Sequence, residues 1–481
     1  MENDISIEEY LHGKSILVTG STGYLAKIFV EKVLRIQPEV KRIYLLIRAP
    51  SEVTAAQRLE TDVVSKDLFR ILRDVHGDSF GSFISLKVIP IAGNTAHVNI
   101  GVDDSCVREK LFNELDVIVH SAATTSFDER YDIALSTNTF GAKNVLEFSK
   151  KCVKLGMLLH VSTAFVGGEK EGLILERPFG MGEALHGTST IDIYKERTLV
   201  ETKLKELEDN GATNEGKAVF MKELGLQRAR SFGWPNTYSF TKAMAEMLLG
   251  NLKDQVPLVI VRPSVVTSTY VEPFPGWIEN TRTIDAVIIP YALGKMKCFL
   301  GDPDGILDMI PGDMVVNAML KILSTHFLRS SQHSIYHLCS SLRNPTTISN
   351  LVAWSYLYFS DHPLVGKDGN VIKVPRLLLN IHYKVPLQVF YILNFALCHL
   401  YNAKYKKLNK QYHYAKTVAL LYKPYTTFKG RFDDSSSEWF RACTSKGDPK
   451  EKLYYPYVED IKWESYFMTV HIPAVIKYLM K

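Results

Sequence analysis

The chain has 481 residues, 46% hydrophobic, 23% charged and 11% aromatic, with 57 Lys and Arg against 52 Asp and Glu and a net charge of +5. That length calls for two or three domains with a full apolar core and excludes collagen-like, disordered and small disulfide-scaffold classes. The cysteines, Cys106, Cys152, Cys298, Cys339, Cys398 and Cys443, form no C-x-x-C pair and no finger-type set with histidine, so no metal site is expected and a reducing compartment fits. The acidic start MENDISIEEYLHGKS carries the expectation of no cleaved targeting segment.

In chain order, short apolar runs alternate with helical patterns: SILVTG, a helix from Tyr24 to Ile36, RIYLLIR, LKVIPIAG, DVIVHSAA, a helix from Glu129 to Lys154, MLLHVSTAF and LVIVRPS. Strands this apolar have no wet face, so the expected fold class is α/β, a Rossmann-type doubly wound parallel sheet with helices on both faces. Residues 190–230 are charged with helical spacing around GATNEG, which predicts an inserted surface hairpin of helices. After Asp368 the alternation ends. The expected boundary lies in HPLVGKDG, giving an α/β unit over 1–365 and a mainly helical, basic and apolar C-terminal domain over 370–481.

Charge is uneven. Gly369 to Phe432 holds eleven Lys or Arg and no acid, which leaves 46 basic against 52 acidic residues elsewhere. Within it, Val385 to Leu400 is sixteen residues long, short of the ~20 that span a bilayer. Two readings stay open, a core helix with a solvated basic neighbour or an interfacial element touching a membrane. No nucleic-acid fold motif accompanies these residues, so no nucleic-acid partner is expected.

Thr19-Gly20-Ser21-Thr22-Gly23-Tyr24-Leu25-Ala26 follows a strand and opens a helix, the context of a dinucleotide-binding turn. Gly20 and Gly23 allow a tight turn near a pyrophosphate at the helix N-terminus, and small Ala26 permits close packing. The second strand ends in Arg48 with no acid from Lys41 to Ser51, which favours NADPH over NAD. Further on, Tyr238 and Lys242 stand at i and i+4 and share a helix face. An ammonium beside a phenol stabilises the phenolate, so Tyr238 can exchange a proton near neutrality. The fifth strand ends in Ser162-Thr163-Ala164, where a hydroxyl could hold a substrate carbonyl.

TGxxGxxA, the STA strand end and YxxxK together resemble an extended short-chain dehydrogenase/reductase. The longer blocks KIFVEKVLR, SAATTSFDERYDIAL, FGWPNTYSFTKAMAEML, VRPSVVTSTYVEPFPGWIEN and FMTVHIPAVIKYL resemble alcohol-forming fatty acyl-CoA reductases, particularly the plant type, nearly end to end. The resemblance implies NADPH-dependent reduction of a long-chain acyl-CoA to a primary alcohol through a bound aldehyde, as in wax, cutin or suberin lipid metabolism. It implies Tyr238 as proton donor, Lys242 as its partner and ribose anchor, and Thr163 as carbonyl-binding hydroxyl with Ser162 in reserve. Asn138 matches a proton-relay or helix-bending asparagine, and an ordinary helix-surface Asn is the plain alternative. Thr19, Gly20, Thr22, Gly23, Tyr24, Leu25, Arg48, Asn94, Ala122 and Ala123 fall to the cofactor, with Pro263, Ser264 and Val265 packing on its nicotinamide.

Two positions depart from the family pattern. Asn94 stands where an acid usually reaches the adenine amino group, and Gly167 where a cysteine is usual. No cysteine is assigned a catalytic role, because CoA thiolate is itself a good leaving group. Competing readings are an aldehyde-releasing acyl-CoA reductase, a sugar-nucleotide epimerase or dehydratase, a lipid or steroid dehydrogenase, and a non-catalytic NADPH-binding membrane-associated protein. Plant relatives suggest the cytosolic face of the endoplasmic reticulum membrane, with cytoplasm or plastid as alternatives. Oligomeric state is not legible in the sequence.

Overall fold

A computed structural model describes residues 5–186, 190–251, 256–281, 283–296, 298–326, 335–379, 409, 419–438 and 458–480. The apolar run Val385 to Leu400 and its neighbours Lys404, Lys406 and Lys407 lie outside the described residues.

Seven strands form the central sheet: β1 Ser15–Thr19, β2 Arg42–Ile47, β3 Val88–Ala92, β4 Val117–His120, β5 Met157–Val161, β6 Leu258–Pro263 and β7 Ile335–Leu338. All pair in parallel, in the order β3-β2-β1-β4-β5-β6-β7. Every residue of β1, β4, β5, β6 and β7 is buried, as two helix-covered faces require. The doubly wound expectation holds, with one strand added. β7 gave no sequence signal because it is four residues long and interrupted by His337, which the sheet buries to 1% exposure.

The helix at Tyr24–Ile36 has the expected bounds and buries ten side chains, including Lys27, Glu31 and Lys32. Those charges are paired: Lys27 with Glu279, Lys32 with Glu272, and Glu31 with Arg35 at 2.8 Å. The two lysine pairs tie this helix to the 270–280 loop. The helix expected from Glu129 to Lys154 runs as Tyr131–Ala134, a π-helical stretch Leu135–Phe140, and Gly141–Ser149. The surface hairpin is Ile193–Asp209 and Asn214–Ser231, each capped at its N-terminus by a side chain, Asp192 and Thr213. It is anchored where Glu196 accepts from Arg228 and from the buried Tyr131 hydroxyl at 2.8 Å.

Described segments beyond residue 418 pack into the body of the molecule. Phe428, Phe432, Phe467 and Val475 share one core with Val18 and Val261 of the sheet. His471 is fully buried between Ser268, 3.0 Å from its Nδ1, and Asp285, 3.1 Å from its Nε2. No helix among the described residues is long and apolar enough to cross a membrane.

Candidate active site

The strand order reverses between β1 and β4, and in an open α/β sheet the ligand crevice forms outside the carboxyl ends at such a point. A cleft of about 720 Å³ lies there. Its floor begins at the glycine turn. Gly20 has φ 68°, and a Cβ on it would sit 2.6 Å from Ala122 N, so no larger residue fits. A Cβ on Gly23 would sit 2.9 Å from Gly20 O. Gly23 is the N-cap of the Tyr24–Ile36 helix and supplies no side-chain cap, which leaves the first amides to an anion in the cleft.

Gly20, Thr22, Gly23, Tyr24, Leu25, Arg48, Asn94, Ala122 and Ala123, the positions assigned to the cofactor from sequence, all line the cleft. Thr19 does not. Its side chain is fully buried beneath the turn, where Oγ1 shares a hydrogen bond with His120 Nδ1 at 2.7 Å and accepts from Ala122 N at 3.3 Å. It shapes the turn from below. The Tyr24 hydroxyl donates toward Thr267 O and Trp277 O, at 2.9 and 3.0 Å, so it braces the far wall. Asn94 Oδ1 accepts from Ala96 N at 3.1 Å, closing a local turn with one lone pair still available. Arg58, not singled out in the sequence, lines the cleft with Arg48 and donates to Arg48 O at 2.7 Å.

At the other end, Tyr238, Lys242, Ser162, Thr163, Pro263, Ser264 and Val265 line the same cleft. Tyr238 and Lys242 ride on the helix Thr237–Gly250, whose N-cap Asn236 accepts from Ser239 N at 2.9 Å. Tyr238 is half-buried, while Lys242 is 1% exposed and donates to Val161 O at 2.7 Å. Burial pulls the Lys242 ammonium down to about 8, with Glu246 opposing the shift. The two candidate hydroxyls differ. Ser162 donates to Glu246 Oε1 at 2.5 Å, whereas the nearest acceptor for Thr163 is Pro263 O at 3.5 Å, the limit of hydrogen bonding.

Asn138 lies outside the cleft, fully buried in the π-helical stretch. Its Oδ1 accepts from Thr124 N at 2.9 Å, and its Nδ2 donates to Thr124 O at 3.1 Å and Thr241 Oγ1 at 3.0 Å. It therefore clamps the loop after β4 to the Tyr238 helix, the helix-bending alternative in geometry, with no bond to Lys242.

Sequence reasoning missed an aromatic wall. Phe127 stacks on Tyr425 with centroids 4.6 Å apart, meets Tyr422 edge-on at 5.5 Å and lies 6.2 Å from Tyr238. Phe127, Tyr422 and Tyr425 all line the cleft. Two buried histidines were also missed. His120 and His160 lie beneath Lys242 with rings 4.9 Å apart, and burial holds both well below the usual imidazole range, His120 at about 3. Neither wall nor histidine pair has a local spacing that could have announced it.

A glycine turn on a doubly wound parallel sheet, facing a Tyr–Lys helix and a Ser-Thr strand end across one cleft, is the arrangement of an extended short-chain dehydrogenase/reductase. Comparison with known proteins narrows the class. The NAD-binding family described as "Male sterility protein" matches residues 18–319. "Probable fatty acyl-CoA reductase 4" of Arabidopsis thaliana is 45% identical, over 99% of this chain and 100% of its own length. The "Alcohol-forming fatty acyl-CoA reductase" of Simmondsia chinensis is 44% identical over 100% of both. The reductase domain of a nonribosomal peptide synthetase from Mycobacterium tuberculosis shares the fold, with a TM-score of 0.56 at 17% identity over 89% of this chain and 84% of that one. The chain belongs to the fatty acyl-CoA reductase family.

Proposed function

We propose that this protein reduces a long-chain acyl-CoA thioester to the primary alcohol with NADPH, through an aldehyde that stays bound. The observation that carries this reading is the single cleft joining the glycine turn to Tyr238, Lys242 and Thr163. The residues present suit the dinucleotide. The turn excludes any Cβ, the helix N-terminus is open to a pyrophosphate, and Arg48 and Arg58 offer guanidinium groups at the end of β2 for a 2′-phosphate.

The glycine turn and Arg48 would hold a reduced dinucleotide, which would supply one hydride to the acyl carbon in each of two reductions. The chain's own residues manage charge and protons. Negative charge developing on the carbonyl oxygen meets the hydroxyls of Thr163 and Tyr238. The C–S bond then breaks and CoA leaves as thiolate, which takes a proton from water. Cys106, Cys152 and Cys339 do not line the cleft, and the mechanism proposed uses no enzyme thiol. At the second reduction Tyr238 gives its proton to the alkoxide, and the Lys242 ammonium favours the phenolate left behind. Phe127, Tyr422 and Tyr425 offer an apolar surface to the acyl chain beside the reacting carbon.

The same reading takes residues 1–365 as the reductase unit and 370–481 as a C-terminal domain, part of which closes the cleft. The basic stretch 369–432 is read as meeting either CoA phosphates or an anionic lipid surface at the cytosolic face of the endoplasmic reticulum, in wax-type lipid synthesis. The deciding experiment gives purified protein NADPH and a panel of acyl-CoA chain lengths, with products resolved by chromatography. Alcohol at one or more lengths is expected. Released aldehyde alone would favour the aldehyde-forming alternative, and no acyl-CoA-dependent product would overturn the reading.

A further inference from the structure

Glu246 stands four residues beyond Lys242 and eight beyond Tyr238, on one face of the helix Thr237–Gly250. It is 2% exposed, and its carboxylate holds groups from two strands. Ser162 at the end of β5 donates to Oε1 at 2.5 Å. Arg262 of β6 donates from Nε to Oε1 and Oε2 at 3.0 and 3.1 Å, and from Nη2 to Oε2 at 2.5 Å. Arg262 Nη1 lies 3.2 Å from His337 Nε2 on β7. A guanidinium can only donate, so Nε2 accepts, the imidazole proton sits on Nδ1, and it points to Asp433 O at 2.8 Å. Burial and the Arg262 charge keep His337 neutral, with its titration pushed down to about 3. Losing one member of such a buried, hydrogen-bonded pair is costly.

We propose that Glu246 is a positioning residue for the reduction, holding Lys242 as an ammonium and fixing the Ser162 hydroxyl so that Thr163 alone donates to the substrate carbonyl. The inference rests on the reading of Tyr238 and Lys242 as the proton-transfer pair. Lys242 is buried against Val161 O and faces His120 of β4 and His160 of β5, both neutral, so neither imidazole offsets the cost of burying its charge. Glu246 does offset it, while its carboxylate is also paired with Arg262. Ser162 presents only its oxygen lone pairs to the cleft once its proton is committed to Glu246. Thr163 Oγ1 accepts from Phe165 N at 3.3 Å and donates only over the long 3.5 Å contact to Pro263 O, a weak bond that a substrate carbonyl would displace.

The test compares the protein with Glu246→Gln and Glu246→Asp, reading kcat/KM for a saturated long-chain acyl-CoA against pH, NADPH affinity by fluorescence, and thermal unfolding. Glu246→Gln removes the offsetting charge, so Lys242 loses its proton at lower pH and the alkaline limb moves down by about one pH unit. NADPH affinity stays within about threefold, and Glu246→Asp, which keeps the charge, returns the limb. A lower melting temperature with the limb unmoved would mean a structural role only and overturn the proposal. Should Glu246→Gln not fold, Ser162→Ala against Thr163→Val decides. The proposal expects kcat to fall less than about tenfold in the first and more than about a hundredfold in the second, and equal losses overturn it. Full activity in Tyr238→Phe would instead overturn the underlying reading of the pair.

Discussion

Asn236 Nδ2 donates to the Tyr425 hydroxyl at 2.8 Å, although the two residues lie 189 positions apart. The same asparagine caps the helix that carries Tyr238 and Lys242, so one side chain joins the C-terminal segment to that helix. Both partners are buried, and burial pushes the Tyr425 phenol far above its ordinary range, so it stays neutral. Tyr425→Phe keeps the ring stack on Phe127 and leaves a buried amide unpaired, at a cost of about 1–3 kcal/mol. The expected result is a lower midpoint of unfolding in denaturant together with a several-fold lower kcat. A variant as stable and active as the parent would remove this bond from the account.

Tyr238→Phe deletes the proposed proton donor without changing the shape of the cleft. General acid catalysis is typically worth about 10²–10⁴-fold. We expect kcat for alcohol formation to fall by that factor, with NADPH affinity, read by fluorescence titration, within about threefold of the parent.

Arg48 and Arg58 lie together at the end of β2, where a 2′-phosphate would lie. A charge-assisted hydrogen bond contributes about 1.5–3 kcal/mol. Arg48→Ala is therefore expected to raise KM for NADPH about ten- to hundredfold and leave KM for NADH within about twofold. Equal effects on the two cofactors would take Arg48 out of phosphate recognition.

His120, His160 and His337 are neutral in the fold, with titration held below the ordinary 6.5. Below pH 6.5 the unfolded chain takes up protons that the folded chain refuses, so their contribution is present at neutral pH and is lost as pH falls. Glu31 and Glu176, raised by burial to about 7, act oppositely between their unfolded value of 4.5 and 7. These carboxyls, together with the buried Asp308 and Asp313 whose titration is likewise raised, partly offset the three imidazoles. His160→Leu leaves the carboxyls alone and should make the fall of unfolding free energy below pH 6 shallower by about 1.4 kcal/mol per pH unit. Identical slopes would place a proton on His160 in the folded state.

Lys404, Lys406 and Lys407 belong to the basic stretch and carry the membrane reading. Replacing all three with Glu is expected to weaken sedimentation with anionic liposomes, with neutral liposomes as the control. Unchanged sedimentation would leave the stretch to CoA or to water.

The sequence by itself determined what depends on neighbouring residues. Six of the seven sheet strands, the helix at Tyr24–Ile36, the surface hairpin, the glycine turn and the shared face of Tyr238 and Lys242 were legible because apolar period, glycine placement and i,i+4 spacing are local properties. The family was legible from longer blocks for the same reason. Tertiary structure set the two candidate hydroxyls apart. Ser162 and Thr163 are adjacent and chemically alike, and only Glu246, 84 residues from Ser162, separates them by taking one proton. It also turned Thr19 from cofactor ligand into a buried support for the turn, and Asn138 into a clamp between two segments. The aromatic wall of Phe127, Tyr422 and Tyr425, the strand around His337 and the Glu246–Arg262–His337 chain are assembled from distant parts of the chain. A buried polar group draws its partners from whichever elements the sheet brings beside it, and those partners carry no mark in the order of residues.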